Sequence, residues 1–101
     1  MKKRYECILL YNPNLDDESL KKEIANFEGL ISNNGGSILN KSIPKKIEMG
    51  YIIKKKKEGH YIVIDFEIVA DKIKELDSTL RLNDSILRFT FIVKQEKEAV
   101  L

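Results

Sequence analysis

Two apolar stripes with the same spacing constrain this chain more than any other feature. Leu20, Ile24, Phe27 and Ile31 recur at intervals of four, three and four residues, and Val69, Ile73, Leu76 and Leu80 repeat those intervals later. Such a stripe marks a helix that is apolar along one face and must lay that face on something. A β-rich run precedes the first stripe, two lie between the stripes, and one follows the second. A chain of 101 residues has room for one two-layer core, so both helices must share a single sheet.

The runs support that order. Residues 4–11 are near-continuously apolar, as in a central strand with both faces at least partly covered. Asn12-Pro13-Asn14 ends the run, and Asp16 or Asp17 caps the first helix, with acidic residues through its first turn. Asn33-Asn34-Gly35-Gly36 stops the helix with residues that tolerate left-handed angles. Residues 37–53 read as a long second strand interrupted around Pro44, which cannot donate to a ladder and places the strand at a sheet edge or bends it there. Lys54, Lys55, Lys56 and Lys57, followed by Glu58-Gly59, link it to a third strand over residues 60–68 as a β-hairpin. In that third strand Ile62, Ile64, Phe66 and Ile68 form one face and Tyr61, Val63, Asp65 and Glu67 the other. Asn83-Asp84 turns the chain after the second helix. Residues 86–94 form the last strand, with Leu87, Phe89, Phe91 and Val93 inward.

The order β-α-β-β-α-β predicts an α+β, ferredoxin-like split βαβ sandwich, in which a four-stranded antiparallel sheet carries both helices on one face. The first and third strands are central. Residues 1–94 make the single domain, and residues 95–101 a loose tail. The open face should hold Glu6, Asp65, Glu67, Arg88, Thr90 and Lys94, but also Ile8, Leu10, Val63, Ile86 and Ile92. That is too apolar for a face that meets only water. It predicts a partner protein there, reaching Tyr51 at the second-strand edge. The apolar stretch after Met1-Lys2-Lys3-Arg4 is too short for a signal peptide, and no run approaches a membrane span, so the expected compartment is the cytoplasm.

Catalytic chemistry finds little support. His60 is the sole histidine and has no cysteine or histidine cluster to join; Cys7 is the sole cysteine and sits inside a strand. Helix capping accounts for Asp16-Asp17-Glu18. The glycines at 35 and 36 follow a helix instead of opening one, so they do not make a phosphate cradle. Acylphosphatases share the expected fold, but no glycine-rich, arginine-containing loop follows the first strand. No enzyme, cofactor, metal or small-molecule substrate is expected.

Basic residues are the remaining signal. The formal net charge is only +2, so position matters more than total charge. Lys2, Lys3 and Arg4 lead into the first strand, Lys54 to Lys57 sit at the hairpin, and Arg81 and Arg88 flank the last turn. Such groups neutralise phosphates with salt-dependent affinity. Tyr61 is the one aromatic residue expected on the open face, which favours backbone contacts over base stacking.

The chain resembles the S-six family of the bacterial small ribosomal subunit over about residues 3–94. Arg4-Tyr5-Glu6 is similar to the family's opening, and Asn12-Pro13-Asn14-Leu15-Asp16 to its first turn and cap. Leu80-Arg81-Leu82-Asn83-Asp84-Ser85-Ile86-Leu87-Arg88 is the most specific match. In the second strand Glu48, Tyr51 and Ile53 fit the family's pattern, whereas Lys45 stands in place of a glycine and Ile47 in place of a basic residue. The resemblance implies the fold expected above, binding of platform rRNA, and a small basic partner, the S-eighteen ribosomal protein. The implied rRNA contacts are Lys2, Lys3, Arg4, Arg81 and Arg88, helped by Lys54 to Lys57. The alternative expectation is a protein-interaction or ligand-sensing module of the same fold that dimerises through its open face.

Overall fold

The computed structural model describes residues 1–94; the tail expected over residues 95–101 lies outside the described residues. The elements run β1 (Lys2–Tyr11), α1 (Asp17–Asn33), β2 (Ser37–Lys41), β3 (Lys45–Ile53), β4 (Lys56–Val69), α2 (Ile73–Arg81) and β5 (Ile86–Lys94). The sheet order is β2-β4-β1-β5, with β3 also pairing β4, and the pairings are antiparallel. The central strands are those expected.

Five strands replace the expected four because the second strand is divided. Lys41 faces Ile64 and Lys45 faces Tyr61, so the register slips across Ser42-Ile43-Pro44. Ser42 closes the gap: its Oγ accepts from the Val63 amide at 2.9 Å, and its own amide donates to the Val63 carbonyl at 2.9 Å. The proline thus interrupts an edge ladder, as its missing donor requires.

Core formation follows the stripes. Leu20, Ile24, Phe27 and Ile31 of α1 and Leu76 and Leu80 of α2 are buried against Tyr5, Cys7, Leu9 and Tyr11 of β1 and Ile62, Ile64, Phe66 and Ile68 of β4. Phe66 is the centre, with the rings of Tyr5, Phe27 and Phe91 at 5.7, 6.0 and 6.1 Å. Asp16 caps α1 by accepting from the Ser19 amide at 2.7 Å. Gly35 takes φ 81° just past the helix. Gly36 then passes so close that an added Cβ would lie 2.7 Å from the Glu67 carbonyl oxygen.

Three residues also lie elsewhere than expected. Val69 ends β4 as an exposed residue instead of opening the second helix, which starts after a 3₁₀ turn over Ala70–Lys72. Ile86, expected on the open face, belongs to the core. Its neighbour Leu87 is inserted in the ladder, since Leu10 faces Arg88 while Tyr11 faces Ile86, and this extra residue turns Ile86 inward. Val93, expected inward, is 56% exposed near the end of the edge strand β5.

Candidate functional site

The open face is built from rows of residues across β4, β1 and β5. At one end Glu67, Arg4 and Lys94 are aligned, followed by Asp65, Glu6 and Ile92. Then come Val63, Ile8 and Thr90, and finally Tyr61, Leu10 and Arg88. The face therefore grades from charged to apolar. The charged end is largely self-compensated, with Lys94 Nζ 3.1 Å from Glu6 Oε1. Asp65 Oδ1 is an exception, since it is shielded from solvent and has no hydrogen-bond partner among the described residues.

The other end is covered by the β3-β4 hairpin. Lys56 already faces Ile53, so the link is the two residues Lys54 and Lys55, with φ 49° and 68°, and not the longer span expected. Left-handed angles at both central residues suit the twist of a two-residue hairpin, but asparagine and glycine reach them more easily than lysine. Glu58-Gly59, expected as a break, lies inside β4. Four residues, Met49 to Ile52, oppose Lys57 alone, and this large irregularity bends the hairpin. Gly59 permits the bend: a Cβ there would meet Leu10 Cδ1 at 2.7 Å and Cγ at 2.8 Å.

The bent hairpin reaches across to β5. Lys54 Nζ donates to the Ile86 carbonyl at 3.1 Å, and Arg88 Nη1 donates to the Tyr51 hydroxyl. Between hairpin and sheet lies a chamber of about 330 Å³, lined by Ile8, Leu10, Ile47, Met49, Ile53 and Tyr61 with Tyr51 and Arg88 at its side. Leu10 is consequently only 8% exposed.

A second cavity of about 390 Å³ opens beside the start of β5. Lys54, Arg81 and Arg88 line it, with Leu80, Ile86, Leu87 and Phe89. Arg81 Nε donates to Asp77 Oδ1 one helical turn earlier, and its guanidinium carbon lies 5.7 Å from the Phe89 ring centroid. A guanidinium has five donors, so Arg81 and Arg88 retain free N–H groups after these contacts. Three cations from the hairpin, α2 and β5 thus surround one cleft.

The structure separates the nine basic residues implied for RNA. Lys54, Arg81 and Arg88 come together at this cleft, and Lys55 and Lys57 are exposed on the hairpin nearby, with Lys56 half-buried. Lys2 and Arg4 project onto the opposite end of the open face, while Lys3 alternates to the helix side. Arg4 and Leu10, the latter opposite Arg88, are six residues apart on β1, about 20 Å at about 3.3 Å per residue. Of the six residues expected to meet a partner protein, Ile8 and Val63 are half-buried on the open face, Ile92 is exposed beside them, and Leu10 lies under the hairpin. Tyr51 is 60% exposed, and Ile86 is in the core.

Sequence reasoning missed the arch, the tether from Lys54 and the bond between Tyr51 and Arg88. Gly59 inside a β-rich run was the available signal, since glycine in a strand marks a bend or a close approach. Cys7 is fully buried, and burial pushes its thiol up to about 12, against a smaller downward pull from a backbone hydrogen bond at Thr90. Such a thiol is not a nucleophile at neutral pH. His60 Nε2 lies 3.2 Å from the Leu15 carbonyl oxygen, a structural contact. Among the described residues no group of three or more His, Cys, Asp or Glu could hold a metal, and no helix is long and apolar enough to cross a membrane.

The fold is thus a split βαβ domain in which a cleft lined by three cations lies beside a partly apolar open face. A model of the family described as ribosomal protein S6 matches residues 4–93. The chain belongs to the ribosomal protein S6 family, which implies a structural role. It is 42% identical over 94 residues to small ribosomal subunit protein bS6 of Clostridium kluyveri, covering 93% of this chain and 98% of that one. Against small ribosomal subunit protein bS6 of Clostridium botulinum it is 33% identical over 93 residues, covering 92% and 99%. The crystal structure of 30S ribosomal protein S6 from Thermotoga maritima superposes with a TM-score of 0.88 at 24% identity, over 93% of this chain and 89% of that one; this likeness shows the fold.

Proposed function

We propose that this chain is a structural constituent of the small ribosomal subunit, in the cytoplasm, binding small-subunit rRNA together with the S-eighteen ribosomal protein. The observation that carries the reading is the family match across residues 4–93. Geometry supports a division of labour. The cleft lined by Lys54, Arg81 and Arg88 has the fixed, multiple donors that suit phosphate oxygens. Lys54 also tethers the hairpin, because one of its three N–H donors goes to the Ile86 carbonyl. Lys2, Lys3 and Arg4, about 20 Å from the cleft along β1, contact a different stretch of rRNA.

The partner protein takes the middle of the open face. Ile8, Val63 and Ile92 offer apolar surface there. Ile86 has no part in this contact because it is buried. The test is sedimentation of the purified protein with small-subunit particles that lack it, with and without the S-eighteen protein, over a range of salt. The expected result is partner-dependent binding that weakens steeply as salt rises. A stable, RNA-free homodimer that stays out of the particles would overturn the reading and favour the dimerising module.

A further inference from the structure

The hydroxyl of Tyr51 accepts from Arg88 Nη1, although the two residues belong to opposite sides of the sheet face: Tyr51 to the hairpin outside β4, and Arg88 to β5 beyond β1. Only the arch brings them together. We infer that Tyr51 is a positioning residue for Arg88, holding its guanidinium in the cleft shared with Lys54 and Arg81 so that its free donors meet an rRNA phosphate already oriented.

The physical reason is the mobility of arginine. Arg88 is exposed, and an exposed arginine samples many rotamers that binding must freeze. A phenol oxygen is well suited to hold it. It is neutral, so it leaves the positive charge intact for a phosphate, and it occupies one donor of five. A carboxylate in the same place would bind more tightly but would cancel the charge. The neighbouring Arg81 is the contrasting case, since it is fixed by the Asp77 carboxylate and by the Phe89 ring. The second anchor, from Lys54 to the Ile86 carbonyl, keeps the hairpin where Tyr51 can reach.

This inference rests on the rRNA-binding reading, and the experiment separates the two. Binding of wild type, Tyr51→Phe, Arg88→Ala and the double variant to small-subunit particles lacking this protein is measured over a salt series. Tyr51→Phe should weaken binding about three- to tenfold, the cost of re-immobilising one long side chain. Its salt slope should match wild type because no charge is removed, whereas Arg88→Ala should lower the slope by about 1. In the Arg88→Ala background, Tyr51→Phe should have no further effect. Lys54→Met, which loosens the hairpin without touching Tyr51, should weaken binding more when Arg88 is present than when it is absent. Equal losses from Tyr51→Phe with and without Arg88, or wild-type affinity in Tyr51→Phe, would overturn the inference while leaving the ribosomal reading intact. Absence of binding by the wild-type chain would overturn both.

Discussion

The two faces of one sheet are stabilised by different means. On the helix side, Phe66 lies at the centre of three other rings, and the β1 and β4 residues that face α1 and α2 are buried without polar company. On the open side, cover among the described residues is provided by the hairpin arch. It is held by a hydrogen bond from Lys54, another between Arg88 and Tyr51, and the contact that Gly59 makes with Leu10. The first face derives its strength from apolar area removed from water. The second has left-handed lysines and a bulged ladder, and it depends on a small number of polar tethers instead of a large buried area.

The largest test of this difference is Phe66→Ala. It removes the ring from a fully buried site and should cost about 3–5 kcal/mol, read as a lower denaturant midpoint. A loss below 1 kcal/mol would mean that the helix side is not the dominant core.

Next comes Gly59→Ala. The new methyl group would collide with Leu10 and approach the Tyr11 carbonyl oxygen, placed 3.1 Å from the ideal Cβ. Overpacking of this kind costs about 1–3 kcal/mol. Pairing it with Leu10→Ala should make the two changes non-additive, because the smaller side chain makes room. Strict additivity in unfolding experiments would show that the arch does not rest on Leu10.

The same contrast explains what could be read in the chain. The helix stripes place Leu20, Ile24, Phe27, Ile31, Leu76 and Leu80 in the core, where the structure also has them, because periodicity is a local consequence of burial on one side. Ile86 could not be placed this way. Its face depends on the inserted Leu87, and a one-residue shift exchanges the two faces of a strand. The site was legible as a set of residue types but not as an arrangement. Arg81 and Arg88 are seven positions apart across one turn, yet Lys54 and Tyr51 join them only through the bend of β3. That bend arises from a mismatch of four residues against one, which no alternation pattern reveals.

A stabilising change should also separate the regions. Lys55 holds φ 68°, an angle that costs a side-chain-bearing residue and not a glycine. Lys55→Gly should therefore raise stability by about 0.5–1 kcal/mol even though it deletes a charge. Its effect on rRNA binding should be small beside that of Arg88→Ala. A destabilised Lys55→Gly would indicate that the exposed ammonium, and not the turn geometry, matters at the tip.

The smallest effect concerns the helix side again, and it is a pH dependence. Asp16 accepts from the Ser19 amide and has its carboxyl held below the usual range, first by that backbone hydrogen bond and then by the Ser19 side chain. A carboxylate with a lowered folded-state pKa favours the folded chain when ionised. Its contribution is complete above the unfolded value, about 3.9, and is lost as pH falls through the lower folded value. Asp16→Asn keeps an oxygen that can cap the helix but cannot titrate. Unfolding curves of the two proteins should accordingly run parallel near neutral pH and converge as pH falls below about 4. Parallel curves throughout the acid range would show that the cap contributes through geometry alone.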